Sequence, residues 1–171
     1  MDLSDAATDQ LGRLARLLWQ HRRLLEDLQY RLEVQNLLLL AGREQWVARV
    51  TGEVQETIDH ISENEVLRAA LVDQLAPQLG LEPGASLQDL ANRAPEPWNM
   101  ILEDHRISFL TSVERIDELS KSARQVLREG LDRTRSMLTS LTNEGPPALS
   151  YDATGRSVSS TSRPVLIDHE A

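Results

Sequence analysis

Four histidines are the residues of this sequence whose chemistry first suggests a metal site. His21 and His105 fall on apolar helical stripes, His60 lies beside another stripe, and His169 lies near the C-terminal end. A di-iron helical bundle uses Glu-x-x-His repeats, because that spacing brings a carboxylate and an imidazole to one helix face. No such repeat occurs, since Glu56 stands four residues before His60, and the zinc motif His-Glu-x-x-His is also absent. We therefore predict no metal site and no cofactor.

Covalent chemistry has equally little support in the sequence. A histidine phosphotransfer bundle needs an exposed histidine on a helix face, and His60 is the one reasonable candidate. His105 instead takes a stripe position between Leu102 and Phe109, where a polar residue can set the register of packed helices. The chain has no cysteine, no glycine-rich phosphate loop and no defensible Ser/His/Asp arrangement. The sequence therefore predicts that the protein is not an enzyme and has no catalytic residues.

Charge and composition limit the partners that the protein can bind. The formal net charge of −9 disfavours nucleic acids and anionic membranes, which attract basic surfaces, and it favours a neutral or basic protein partner. One local exception is a basic face formed by Arg13, Arg16, Arg22 and Arg23. Because acidic residues soon interrupt this face, we interpret it as solvated and salt-bridged. The longest apolar run, Leu37 to Ala41, is far too short to cross a bilayer, so no membrane insertion is expected.

A leucine seam in the first part of the chain is the element around which the other residues must be arranged. Steps of three and four residues keep side chains on one face of a helix, and the sequence follows these steps for about eight turns. The residues of the leucine seam are Leu11, Leu14, Leu18, His21, Leu25, Leu28, Leu32, Gln35 and Leu39. A helix cannot bury such a stripe by itself, so it must pack along other long helices.

The same periodicity predicts two further long helices and one short helix. The apolar stripe of the second helix contains Trp46, Val47, Val50, Val54, Ile58, Ile61, Leu67, Leu71, Leu75 and Leu79. The predicted fold is all-α, an antiparallel bundle with long helices at about 8–40, 43–79 and 97–141 and a short helix at about 86–93. Ser86 followed by Asp89 is a capping pair for the short helix.

Two glycines are expected to close helices. Gly42 and Gly80 follow the first and second apolar stripes, and glycine readily adopts the left-handed conformation that ends a helix. A continuous helix through Gly42 remains the alternative, because a glycine inside a helix costs only about 1 kcal/mol relative to alanine.

The third helix should be longer than its neighbours. At a rise of 1.5 Å per residue it would extend roughly 65 Å, against roughly 45 Å for the first helix. Its last turns would therefore keep apolar side chains without cover from within the chain. From residue 142 onward, a Gly-Pro-Pro sequence and a serine-rich window predict a disordered tail. We expect a helical domain at 1–141 and a disordered tail at 142–171.

Several motifs, in their order and spacing, carry a resemblance to a known family. They are Leu14-x-x-Leu17-Leu18, Leu24-Leu25-Glu26-x-Leu28, Gly42-Arg43-x-x-Trp46, Glu63-Asn64-Glu65-x-x-x-Arg68, Leu79-Gly80-Leu81, Ser86-Leu87-x-x-Leu90-Ala91 and Tyr151-x-x-x-Gly155-Arg156. Together they resemble the FlgN-like family, the bacterial flagellar export chaperones for hook-associated proteins. The resemblance covers roughly residues 10 to 156. The middle of the last helix departs from the family pattern, with Ser122, Arg124 and Gln125 where asparagines are expected.

The resemblance implies a cytoplasmic chaperone without catalytic activity. Such a protein binds the C-terminal helical segments of hook-associated proteins, which form the hook–filament junction. It prevents their premature assembly and delivers them to the flagellar type III export apparatus, whose components are further partners. The expected oligomeric state is a monomer or a weak homodimer. The predicted partner-binding residues are the apolar positions of the last helix, Val113, Ile116, Leu119, Val126, Leu127, Leu131, Met137, Leu138 and Leu141.

A structural coiled-coil or adaptor bundle is the alternative function. It would use the same apolar stripes to form a homo-oligomer and would have no flagellar client. A stable dimer or tetramer would favour this alternative, whereas an adjacent gene for a hook-associated protein would favour the chaperone.

Overall fold

The periodic segments of the sequence form helices in the structure, a computed structural model that describes residues 5–143, 150–151 and 157–158. The elements are α1 (Asp5–Leu40), α2 (Glu44–Leu75), a 3-10 turn (Ala76–Leu79), α3 (Leu87–Arg93), α4 (Trp98–Asn143), β1 (Ser150–Tyr151) and β2 (Ser157–Val158). The predicted all-α bundle of three long helices and one short helix is confirmed. The observed helix ends lie within a few residues of the predicted ones.

Two short strands lie in the region that was predicted to be a tail. β1 and β2 pair antiparallel, with Ser150 opposite Val158 and Tyr151 opposite Ser157. The hydrophobic pattern predicts neither strand. α4 also continues two residues beyond 141, through Asn143. The other residues of the predicted tail lie outside the described residues.

Gly42 makes the tight connection between α1 and α2. Its φ angle of 63° lies in the left-handed region, which side chains with a Cβ rarely adopt. The amide of Gly42 donates to the carbonyl of Leu39 at 3.2 Å, and the amide of Arg43 donates to that of Leu38 at 2.9 Å. This pair of hydrogen bonds satisfies carbonyls that the end of a helix leaves free. The predicted break at Gly42 is therefore confirmed, and a continuous helix is not formed.

The short helix α3 begins at the capping pair that the sequence predicts. The backbone amide of Asp89 donates to the Ser86 Oγ at 3.1 Å, and the Ser86 amide donates to the Asp89 carboxylate at 3.0 Å. Hydrogen bonds from Ser86 lower the pKa of Asp89, because they favour its charged form. Leu90 and Ala91 of α3 are buried, so the cap holds this short helix against the core.

The three long helices alternate in direction. α1 and α2 are antiparallel, because Gln78 near the end of α2 donates to Gln10 near the start of α1 at 2.7 Å. α1 and α4 are parallel. Gly12 lies close to Trp98 near the start of both helices, and farther along, Asn36 Nδ2 donates to the carbonyl of Leu119 at 2.9 Å.

Two apolar clusters form the core of this bundle. One contains Leu11, Leu14, Leu18, Leu71, Val72, Leu75, Leu79, Leu90, Ala91, Ala94 and Leu102. The other contains Leu28, Leu32, Val50, Val54 and Leu119. The leucine seam of α1 contributes Leu11, Leu14 and Leu18 to the first cluster and Leu28 and Leu32 to the second. The predicted seam is wrong at its end, where Asn36 is buried and Gln35 and Leu39 are half-buried.

The predicted stripe of α2 is wrong at several positions. Thr57 and Asn64 are buried, whereas Trp46, Ile58 and Leu67 are exposed. Both buried polar residues make side-chain hydrogen bonds. Thr57 Oγ1 donates to the Glu53 carbonyl at 3.0 Å, and Asn64 Oδ1 pairs with His21 Nδ1 of α1 at 3.0 Å. Hydrogen bonding therefore allows polar residues to take core positions that hydrophobicity alone would give to their neighbours.

The chain divides into two compact units, Met1–Leu127 and Arg128–Ala171. The first unit contains both apolar clusters. The second contains the last turns of α4 together with β1 and β2. This division falls inside α4, so the domain boundary predicted between residues 141 and 142 stays a prediction.

Candidate partner-binding surface on the last helix

The first part of α4 buries the apolar stripe that its sequence predicts. Leu102 is fully buried, and Ser112, Leu119 and Ala123 are buried at positions spaced by three and four residues. Leu119 packs with Leu28 of α1 in the second apolar cluster. These side chains hold α4 in the bundle and are not free to bind a partner.

The second part of α4 keeps its apolar side chains exposed. Leu127 is half exposed, and the residues from Arg128 to Ser140 are all exposed. Leu131 and Leu138 are seven residues apart and share one helix face, and Met137 lies about 100° around the helix from Leu138. We call Leu131, Met137 and Leu138 the C-terminal strip; their exposed fractions are 58%, 64% and 57%. Large apolar side chains in such a row are typical of a face that binds another helix.

The polar side chains around the C-terminal strip make their own hydrogen bonds within the helix. Thr134 Oγ1 donates to the carbonyl of Gly130 at 2.9 Å, and Ser136 Oγ donates to that of Asp132 at 2.9 Å. Arg135 lies 4.0 Å from the carboxylate of Asp132. Charges of both signs flank the strip, so its apolar side chains, and not a net charge, distinguish it as a surface.

The structure separates the predicted partner-binding residues into three groups. Ile116, Leu119 and Val126 are buried or half-buried. Val113 is exposed but lines a different groove. The exposed members on the second part of α4 are Leu127, Leu131, Met137 and Leu138, while Leu141 lies in α4 with its side chain outside the described ones.

His105 is a residue of the buried core. Its side chain is fully buried, and its ring lies 5.0 Å from the Trp19 ring in an edge arrangement. Among the described residues neither ring nitrogen has a hydrogen-bond partner. Burial lowers the pKa of His105, because the apolar surroundings disfavour the charged imidazolium. His105 therefore packs as a neutral ring beside Phe109, which agrees with its predicted stripe position.

The other histidines are not assembled into a site within the described residues. His21 pairs with Asn64, and His60 is exposed on α2. In the part of the chain that the structure describes, no three His, Cys, Asp or Glu side chains come together in a way that could hold a metal ion. His169 lies outside the described residues.

A groove of about 420 Å³, separate from the C-terminal strip, lies between α2, the loop before α3, and α4. Its apolar lining includes Leu87, Phe109, Leu110 and Val113. Arg68 and Arg106 also line it, and each arginine pairs with a glutamate on its own helix, Glu65 and Glu103 respectively. These ion pairs lower the pKa values of both glutamates. Sequence reasoning misses this groove because it depends on how the loop before α3 packs against α4.

The described helices do not include one that is long and apolar enough to cross a membrane. The structure thus presents a helical bundle with an exposed apolar strip on its last helix, which is the class of helical protein-binding bundles.

The family model described as FlgN protein matches residues 1–159, and the chain belongs to this family. The family is one of flagellar export chaperones, so the protein is a chaperone of flagellar assembly. Comparison with curated proteins and with solved structures gave no match.

Proposed function

We propose that this flagellar export chaperone binds the C-terminal helical segments of hook-associated proteins through the C-terminal strip of α4. It keeps these clients unassembled in the cytosol and delivers them to the export apparatus, acting as a monomer or weak homodimer. The observation that carries the proposal is the exposure of Leu131, Met137 and Leu138 on one stretch of helix.

The size of the strip suits a transient complex. Burying a leucine or methionine side chain fully contributes about 1.5–3 kcal/mol. Association itself costs several kcal/mol, so a strip of this size gives moderate affinity. Moderate affinity is what a chaperone needs, because the client must be released at the export apparatus.

Covering an assembly segment requires no catalytic group. An amphipathic client helix that lays its apolar face on α4 hides the side chains through which clients would otherwise associate. The proposal therefore needs neither a metal ion nor a residue with a shifted pKa.

The test is a binding experiment with the purified chain and the hook-associated proteins of its source organism. We expect a stoichiometric complex by light scattering, and we expect it to disappear when the C-terminal segment of the client is deleted. A tight homo-oligomer that binds no hook-associated protein would instead support the structural coiled coil.

A matched pair of variants locates the binding surface. Leu131→Asp should weaken client binding at least about tenfold, because it places a charge where a client helix would cover apolar surface. Val66→Asp on α2 is the control, since Val66 is an apolar residue with a similar exposed fraction of 69% and lies outside the strip. If both variants lost binding equally, or if neither lost it, the client would bind outside the C-terminal strip.

A further inference from the structure

Three arginines of α1 lie close together on the surface of the helix without an acidic partner in the described part of the chain. Arg13, Arg16 and Arg23 are exposed, and within the described residues none has an ion-pair partner. Arg22, beside them, pairs with Asp104 at 3.2 Å and lies over the Trp19 ring. The sequence-based interpretation of this face as salt-bridged is therefore right for Arg22 and wrong for the other three.

These arginines border neighbouring cavities along α1, two of which are also lined by α2. Three adjoining cavities of about 430, 680 and 310 Å³ all include Gln20 in their lining. Arg13 and Arg16 line the first cavity, and Arg16 and Arg23 line the second. We call these cavities together the α1–α2 groove and define it by Arg13, Arg16, Leu17, Gln20, Arg23, Leu24 and Leu67.

The floor of the α1–α2 groove is apolar. Leu17 and Leu24 are half-buried, seven residues apart on α1, and Leu67 of α2 is 58% exposed between the cavities that it lines. Leu17 and Leu24 therefore lie on one helix face two turns apart. A partner helix with leucine-sized side chains at the same spacing would meet this floor along its length.

The length of the groove fits a helix of about four turns. From Arg13 to Asp27, the ends of its lining on α1, the chain rises roughly 20 Å at 1.5 Å per residue. Asp27 does not neutralise the arginines, because its carboxylate is already paired with Arg31 at 2.8 Å. The α1 side of the groove is therefore basic, on a chain whose net charge is −9. The α2 side carries the exposed Glu63, so the acidic edge of a partner must face α1.

We propose that the α1–α2 groove docks an amphipathic helix of a partner protein that carries leucine-sized side chains on one face and Asp or Glu residues along its edge. Arginine binds carboxylates through two parallel hydrogen bonds, so Arg13, Arg16 and Arg23 select acidic residues at one edge of that helix. A nucleic acid fits less well, because it has no leucine-sized apolar side chains that could cover the apolar floor of the groove. This docking site is separate from the C-terminal strip and does not depend on the client proposed for it.

The test uses the full chain and a labelled helical peptide of about 15 residues. The peptide has leucines at three-four spacing and glutamates along one edge, and a matched peptide has lysines in place of the glutamates. Fluorescence anisotropy should show binding of the glutamate peptide, weaker binding at high salt and little binding of the lysine peptide. Equal binding of both peptides, or displacement of the glutamate peptide by a short RNA, would overturn the proposal.

Charge-reversal variants identify the groove as the binding site. The triple variant Arg13→Glu/Arg16→Glu/Arg23→Glu should raise the Kd of the glutamate peptide at least about tenfold. The control variant Arg43→Glu/Arg93→Glu/Arg133→Glu changes the net charge equally outside the groove and should leave the Kd within about twofold. Equal losses in the two variants would contradict a specific site.

A further substitution keeps the test independent of the folding of the triple variant. Leu67→Asp changes one exposed residue of the groove floor and should also raise the Kd of the glutamate peptide. Leu131→Asp should not change it, although Leu131 is equally exposed on α4. A Kd that responds to Leu131→Asp and not to Leu67→Asp would assign the peptide to the C-terminal strip and overturn the proposal.

Discussion

The two parts of α4 have the same kind of apolar pattern, but their apolar side chains differ in burial. From Trp98 to Val126, positions spaced by three and four residues are buried or half-buried. From Leu127 to Ser140, the large apolar side chains are exposed. Both parts are regular helix, so the pattern that forms a helix does not decide whether its apolar face is covered.

Within the first unit, the neighbouring helix α1 covers the apolar face of α4. Asn36 of α1 donates to the carbonyl of Leu119, and α1 ends at Leu40, one turn after Asn36. In the first unit α1 and α4 are parallel, and Leu28 and Leu32 of α1 pack with Leu119 of α4 in the second apolar cluster. An apolar stripe is buried where another helix lies at the same level, and otherwise it is available for a partner.

The largest expected effect comes from placing one charge in each part of α4. Leu102→Asp should abolish most of the cooperative melting transition, because an unpaired buried charge costs about 3–5 kcal/mol, a large share of the total stability. Leu131→Asp should shift the melting temperature by no more than about 2 °C, because Leu131 is exposed. Thermal melts followed by circular dichroism measure both, and similar melting of the two variants would contradict the comparison.

A smaller effect is expected from truncating leucines on the same helix. Leu119→Ala should lower the free energy of unfolding by about 2–5 kcal/mol, because Leu119 packs in the second apolar cluster. Leu127→Ala, two turns later, should change it by no more than about 0.5 kcal/mol. Urea denaturation of the monomer measures both values. A large loss for Leu127→Ala would mean that this residue is covered in solution, for example in a homodimer.

The smallest effect expected is a pH dependence that comes from the packed part of α4. Burial lowers the pKa of His105 below its ordinary value of 6.5, so the unfolded chain binds a proton more readily than the folded chain. The contribution of His105 to stability is therefore complete above pH 6.5 and is lost as the pH falls from 6.5 toward the folded pKa. For one proton the slope is at most about 1.4 kcal/mol per pH unit.

Two histidine substitutions isolate this contribution. His105→Leu should reduce the loss of stability in the range just below pH 6.5, measured by urea denaturation at a series of pH values. His60→Gln is the control and should keep the wild-type pH dependence, because His60 is exposed on α2. An unchanged pH dependence in His105→Leu would show that other groups cause it.

Local features of the fold could be predicted because they depend on residues close together in the chain. The leucine seam of α1, the break at Gly42 and the capping pair of Ser86 and Asp89 are all set by short-range spacing and by the conformational freedom of glycine. Each of these features is present in the structure, except that Asn36 is buried at the end of the seam in place of Gln35 and Leu39.

The stripe of α2 was less predictable because polar residues take part in the core. Asn64 lies in a buried position through its hydrogen bond to His21, forty-three residues earlier in the chain. Leu67, which hydrophobicity places in the core, instead lies in the exposed floor of the α1–α2 groove. Because these two residues are so far apart in the chain, their pairing cannot be recognised from the local sequence pattern of either helix.

The sequence by itself determined the helices, their ends and the family to which the chain belongs. Only the tertiary structure decided which apolar residues of α4 are covered, and which arginines of α1 lack an acidic partner in the described part of the chain. The physical reason is that helix formation and capping depend on neighbours within about one turn. Burial and ion pairing instead depend on which side chains of other helices lie at the same level.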